Sequence, residues 1–525
     1  MGQHAFSTGA SSAFGLVTGV LVDAIVIAVL GMGWQTDAYF IALTIPLIIT
    51  NILVLQVHRV IQPIFISKRE TEGEAASWNY LNLMITSGTA IIGALCVLGA
   101  LLSPLLIRVQ TAGAIHDEIW LASRLSVYLF VILPLYFPIV ALRVALQSFG
   151  IFALTGAMKL FENTFKILFV LLLWRNLGVQ ALVLGTLAGV SCQVVIFYLV
   201  LRRKGFRFQP IFQPKHPDMI QAYNLMAFPL IGQVCAASVD VVNNMLGSML
   251  GAGNVSALRL ATRIIESFIG LLPASIVVAA MPPVAASVAQ GDRQATKKHL
   301  QYGLSLLILV NVPLCVWLGL MNRPLIAFLY QRVRFSAADT ALVANLLLLL
   351  IPCMLAARVW GLLELPFYAE QNTRTPLLAS LIIAPLYVMF SLSLVWLVGI
   401  YALPIGRSLT ALISPFLLAY LLRRRMGNLG FAAIRNSISR ICAASLIMAA
   451  FIFLGGWLAA AMPLGGLGNK VIALGLPSST GFAALVISLL ALGVLDPSLL
   501  TRFAPYFGRW PARLMVLVKY PRNLL

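Results

Sequence analysis

Arg259, Arg263 and Glu266 interrupt the apolar run LRLATRIIESF (Leu258 to Phe268). Helical spacing puts them at i, i+4 and i+7, on one face. A guanidinium is a planar fork that grips two phosphate oxygens at once, so this stripe can hold an anion. The alternative is an internal pair between Arg263 and Glu266. Other ionisable residues also sit in apolar runs. Asp23, Asp240 and Glu162 offer carboxylates suited to a cation, a proton or a helix–helix hydrogen bond. Lys159, Glu162 and Lys166 share one helical face, and Arg124 and Arg143 lie near opposite ends of another run. Arg59, Arg143 and Arg407 lie near helix ends, where their charge can reach the surface.

No bond-making constellation accompanies them. There is no H-E-x-x-H, no G-x-S-x-G and no Walker loop, and His58 and His116 have no His or Cys partner at metal spacing. The six cysteines (Cys96, Cys192, Cys235, Cys315, Cys353, Cys442) stand singly and read as small apolar residues. The expectation is no enzyme, no catalytic residue, no metal and no cofactor.

The elements that position these charges must be membrane helices. The 525 residues are 61% hydrophobic and only 10% charged, against roughly half and a quarter in globular domains. Apolar runs of about 20 residues recur, the length a bilayer core requires. The reading is an all-α polytopic membrane protein of about fourteen spans, the second at 38–60, the eighth at 255–280 and the last at 479–500. Arg263 then lies roughly 12 Å into the eighth span at 1.5 Å per residue. A central arginine costs at least about 2.5–3.5 kcal/mol, so it must face protein or a watery cavity.

A net charge of +20 would suggest nucleic acid in a soluble chain, but here it reads as topology. With the N-terminus in the cytoplasm, inner loops and tail carry 21 basic residues and outer loops 6, so both termini are expected inside. A repeat is visible as well. The turn GMG (Gly31 to Gly33) recurs as GAG (Gly251 to Gly253), and the same shift carries Pro63 onto Pro283. The expected organisation is an N-terminal lobe over 1–215, a C-terminal lobe over 216–430 related by a parallel pseudo-two-fold, and two further spans with a basic tail over 431–525. Such repeats suit a transporter that rocks two lobes about a central site.

Four stretches carry a family resemblance. TDAYF (Thr36 to Phe40) after GMGWQ, LATRIIESFIGLLP, MPPVAASVAQGD and PFYAEQNTRTP (Pro366 to Pro376) resemble segments of the MurJ/MviN family of lipid II flippases. The resemblance runs from about Ala10 to Arg425. It implies a fourteen-helix fold related to multidrug and polysaccharide exporters, in the bacterial inner membrane. It also implies movement of a polyprenyl-diphosphate-linked saccharide to the outer leaflet by alternating access. Arg263 matches the family's cavity arginine, with Arg259 beside it. Leu16, Val22 and Asn51 stand where relatives carry N-lobe arginines, and Arg124, Lys159 and Arg143 are the expected substitutes. Asp23, Asp37, Asp240, Glu162 and Glu266 are the expected gating or coupling residues. Coupling would use the membrane potential or a monovalent cation. Asp240 matches the acid of the family's sodium site, but the eleventh span, LLASLIIAPLYVMFSLSL, supplies serines and no acid. The expected partners are the lipid-linked saccharide, membrane lipids and envelope-synthesis proteins, and no nucleic acid. The alternatives are a flippase for another envelope glycolipid, a cation-coupled small-molecule exporter, and a non-transporting assembly scaffold.

Overall fold

The computed structural model describes residues 15, 18–271, 273–332, 334–372, 374–462 and 467–494. Side chains are not described at 55, 56, 59, 153, 224–237, 271, 274, 433 and 467. Leu16, the side chains of Cys235 and Arg59, and the basic tail beyond 494 therefore lie outside what is described. What is described is helical, with no strand among the described residues. In chain order come α1 (Thr18–Leu30), α2 (Trp34–Ile52), α3 (His58–Thr71), α4 (Glu74–Leu101), α5 (Ser103–Gln110), α6 (His116–Ile132), α7 (Tyr136–Ser148), α8 (Phe152–Gly156), α9 (Met158–Leu177) and α10 (Gln180–Arg202). Then follow α11 (Pro217–Met249), α12 (Asn254–Leu271), α13 (Pro273–Ala289), α14 (Arg293–Leu329), α15 (Ala337–Ala369), α16 (Arg374–Val398), α17 (Ala402–Met426), α18 (Arg435–Ala460) and α19 (Leu467–Ala491). Eight helical stretches among the described residues are long and apolar enough to cross a membrane, nine if the broken pair α12 and α13 is one span.

Two local departures from the expected spans have physical causes. The second span is not one helix: Leu53–Val57 form a π-turn between α2 and α3. Pro46 inside α2 has no N–H to give, and the Thr50 hydroxyl returns a bond to its carbonyl (2.9 Å). The last described helix, Leu467–Ala491, begins earlier than the 479–500 expected, and 495–500 lie outside the described residues. It carries Pro477, a residue that a soluble helix would not keep inside. Membrane helices tolerate it where a neighbour packs close, and a Cβ on Gly455 would stand 2.8 Å from the Pro477 Cα.

The glycine turns of the repeat are real turns. Gly31 (φ 80°), Gly251 (φ 114°) and Gly253 (φ 88°) occupy the left-handed region. A Cβ on Gly253 would lie 3.8 Å from Gly33 N, so the two turns touch.

The described residues divide into two compact units. One lies within Met1–Leu271, Leu329–Leu350 and Arg374–Thr410, the other within Leu272–Phe328, Ile351–Thr373 and Ala411–Leu525. These follow spatial contact and cut across the second repeat, so they do not coincide with 216–430. The first unit's core gathers Ile41, Phe65, Leu81, Phe130 and Phe197, all at most 1% exposed. Near one end Trp78 stacks on Phe149 (centroids 5.4 Å apart) and leans on Phe65 and Phe206. The second unit packs Val284, Leu307, Leu362, Phe367 and Leu418 into its own core.

Candidate functional site

The first unit encloses a cavity of about 380 Å³ walled by α1, α2, α7, α9 and α12. Its lining includes Asp23, Arg143, Lys159, Glu162, Asn163, Lys166, Arg259 and Arg263. Five cations and two carboxylates give it a formal charge of +3.

Close helix packing presents the α9 charges. Gly185 and Gly189 of α10 lie so near α9 that a Cβ on either would come within 2.7 Å of the Cα of Lys166 or Glu162. Small residues four apart let two membrane helices touch backbone to backbone. With α10 against one side of α9, the long polar side chains fill the cavity on the other. Lys166 Nζ and Glu162 Oε1 pair at 2.5 Å, and Asn163 donates to the Thr18 hydroxyl (3.0 Å).

Glycines on α1 make room for the cations. A Cβ on Gly19 would stand 2.0 Å from Arg263 Nη2, and one on Gly15 would stand 3.2 Å from Lys159 Cβ. Both glycines are buried. Arg263 Nε meets Asp23 Oδ2 at 3.5 Å, so its partner is on α1, not three residues along its own helix. Glu266 instead pairs with Arg407 Nη2 at 3.9 Å. The alternative of an internal Arg263–Glu266 pair is thus not what the structure shows. The two share a helical face, but each finds its partner on another helix.

Gly19→Ala tests the fit. The methyl would overlap Arg263 Nη2, so the guanidinium must shift from its seat on α1. The expected result is a protein that accumulates normally and loses most transport, measured by complementation together with membrane levels. Normal complementation would show that the seat on α1 is not needed.

Asp37 does not line the cavity; it holds the helix that does. It is 1% exposed and accepts from Gly253 N (2.6 Å), Ser256 N (2.7 Å) and the Ser256 hydroxyl. These are orphan donors at the start of α12, where the helix dipole favours a carboxylate. The acid that follows the first repeat's turn thus caps the helix that follows the second. Asp240 lies beside a separate small cavity of about 30 Å³ shared with Thr44, Asn243, Asn244, Arg259 and Thr262. Arg259 lines both cavities. Asn244 donates to Thr44 Oγ1 (2.8 Å) and Gln110 Oε1 (2.9 Å), and Tyr387 donates to Asn243.

The other expected residues divide. Lys159 and Arg143 line the main cavity, and so do Val22 and Asn51, the positions for which the resemblance implied arginine. Arg124 does not. It is exposed on α6, donates to the Tyr128 hydroxyl (2.8 Å) and lies over the Trp120 ring at 5.3 Å. That placement corrects its expected cavity role: a lone arginine in an apolar run can lie along its own helix over aromatic rings. Lys166, Asn163, Gly15 and Gly19 were missed as site residues. Lys166 carried a signal in its i+4 spacing from Glu162; the glycines carried none. Among the described residues no group of three or more His, Cys, Asp or Glu is placed to hold a metal ion.

The arrangement can grip an anion. Asp23 engages Arg263 and Glu162 engages Lys166, while Arg143, Lys159 and Arg259 form no ion pair with a described carboxylate. The Arg143 Nε is buried and has no hydrogen-bond partner. Buried polar groups are normally paired, so an orphaned guanidinium N–H points to a ligand.

Comparison with known proteins agrees with the helix pattern. The family model described as lipid II flippase MurJ matches residues 26–464. A probable lipid II flippase MurJ of Buchnera aphidicola subsp. Acyrthosiphon pisum is 22% identical over 471 residues, 87% of this chain and 91% of that protein. One from Vibrio cholerae is 22% identical over 418 residues, 77% of this chain and 79% of that protein. A solved structure of lipid II flippase MurJ in an inward closed conformation superposes with a TM-score of 0.75 at 18% identity, covering 92% of this chain and 99% of its own. An inward-facing multidrug resistance MATE family transporter of the MOP superfamily gives 0.65 at 13% identity, covering 79% and 95%. The fold is thus shared with the wider exporter group, whereas the family match extends over most of the sequence, from α1 to just beyond α18. The protein is a multi-pass membrane chain that belongs to the lipid II flippase MurJ family.

Proposed function

We propose that this protein moves lipid II, a polyprenyl-diphosphate-linked saccharide, from the cytoplasmic to the outer leaflet of the bacterial inner membrane. The observation that carries this reading is the +3 cavity with three cations that pair with no carboxylate among the described residues, in a chain of this family. A diphosphate ester carries about two negative charges, and burying them unpaired is prohibitive. Arg143 and Lys159 take the place of the arginines missing at Val22 and Asn51 and meet the diphosphate from the N-lobe side. Arg263 exchanges Asp23 for a phosphate oxygen, and Arg259 is a second contact further along the same face. The lipid chain stays in the bilayer while the head group crosses through the cavity.

Alternating access follows from two six-span lobes, 1–215 and 216–430, with the spans beyond 431 attached. Both termini lie in the cytoplasm, a reading supported by the 21-to-6 loop charge. The Asp37 cap on α12 closes the outer end while the cavity receives substrate. Asp240 and Glu266, close to Arg259 and Arg407, set the charge balance as the lobes move.

The test is rescue. In a strain depleted of its own lipid II flippase, expression of this chain should restore growth and prevent lysis. Lysis despite normal membrane levels would point to a different envelope glycolipid or to a scaffold.

A further inference from the structure

The connector between α10 and α11 is not a loose loop. Its root, Phe206, is fully buried against Trp78 and Tyr198. From there the chain runs extended along α4, and side chains of that helix hold its backbone at successive points. Asn82 donates to the Arg207 carbonyl (3.0 Å) and accepts from Gln209 N (3.2 Å). Thr86 accepts from Ile211 N (3.3 Å). Ser87 accepts from Gln213 N (3.0 Å) and donates to the Ile211 carbonyl (3.4 Å). Asn82 and Ser87 are 2% and 0% exposed, so these bonds are shielded from water.

What this strap displays is unusual for a polar connector. Phe208 and Phe212 are 47% and 62% exposed, although Phe206 two residues earlier is wholly buried. Arg203, Lys204, Arg207 and Lys215 are exposed beside them. No acid occurs between Glu162 and Asp218, and Asp218 is already paired with Lys68 at 3.2 Å. The pinning residues lie roughly 12 to 20 Å along α4 at 1.5 Å per residue. The exposed apolar side chains of that helix, Leu95, Val97, Leu98 and Leu101, come later. The strap therefore meets α4 before its exposed apolar stretch begins, which in a bilayer would set it near the head groups.

We infer that the strap over Arg203–Lys215 is a binding site for anionic phospholipid head groups. Basic side chains near a membrane surface attract acidic lipids, and aromatic rings among them bury into the acyl boundary. The five bonds to α4 fix the spacing of the charges, so the strap is a built surface and not only a basic loop that marks topology. The occupant is a lipid and not a cytosolic protein, because the exposed rings sit where a membrane-embedded chain meets the bilayer. The inference goes beyond the transport reading and does not depend on which lipid-linked saccharide is moved.

The experiment uses the full chain in vesicles of phosphatidylcholine containing one quarter phosphatidylglycerol in both leaflets, so it holds for either orientation. Spin-labelled phosphatidylglycerol and phosphatidylcholine report the motionally restricted fraction at the protein surface. The wild type should prefer phosphatidylglycerol. The variant R203Q/K204Q/R207Q/K215Q should bring that preference close to parity. A control, R423Q/R424Q/R425Q, removes three charges from α17 and should keep most of it. Asn82→Ala with Ser87→Ala retains every strap charge but releases the backbone, and it should also lower the preference. A preference unchanged in the strap variant, or lost equally in the control, would overturn the site. Because no transport is measured, failure of the lipid II reading would leave this result standing, and the reverse also holds.

Discussion

Alanine at both Arg143 and Lys159 should abolish transport while leaving expression and membrane insertion nearly unchanged. The two side chains come from α7 and α9 and line one cavity, and neither has a carboxylate partner among the described residues. Their removal strands no buried acid, so folding has little to lose. Each charge-assisted hydrogen bond is worth about 1.5–3 kcal/mol. Losing both contacts to the diphosphate then costs about 3–6 kcal/mol, or roughly a hundred- to ten-thousand-fold, at about 1.4 kcal/mol per factor of ten. Each single variant should fall between, with an intermediate growth defect at reduced expression. Arg124→Ala is the contrast: it sits outside the cavity over Trp120 and should complement normally. Full activity in the double variant would mean that the N-lobe charge is supplied elsewhere or that the cargo is less anionic.

Arg263→Ala should be as severe by itself. It removes the cavity cation that pairs with Asp23, and it leaves that carboxylate without its ion-pair partner. Arg263→Lys should recover only part of the activity, since an ammonium is a point charge and not a fork. The informative variant removes the pair, Arg263→Leu with Asp23→Leu. A purely structural ion pair can be replaced by apolar residues with little loss, so recovered growth in that double variant would strip Arg263 of its role as ligand. The expected result is continued failure, read by complementation alongside protein levels.

Legibility in the sequence followed the range of the interactions. The α12 stripe and the Lys159–Glu162–Lys166 face are set by helical period and could be read directly. So could the two glycine turns, since only a left-handed backbone demands that residue there. Partners across helices could not be read. Asp23 finds Arg263 from the far side of the repeat, and Glu266 finds Arg407 on α17. Nothing in local spacing encodes either pair. The space that Gly19 leaves for a guanidinium is likewise visible only once α1 lies against α12. Arg124 was misread because an apolar run does not say which face of the helix meets the cavity. The acid at Asp37 was noticed through its motif, but its work as a cap for α12 depends on the two repeat turns touching.

The account rests on one claim: the cationic cavity carries a diphosphate head group across the membrane. The most direct measurement follows labelled lipid II in intact cells depleted of their own flippase, scoring how much becomes accessible at the outer leaflet. Cells with the wild-type chain should expose it, and cells with the Arg143→Ala, Lys159→Ala double variant at equal membrane levels should retain it inside. Equal exposure by both proteins, or none by the wild type, would contradict the claim.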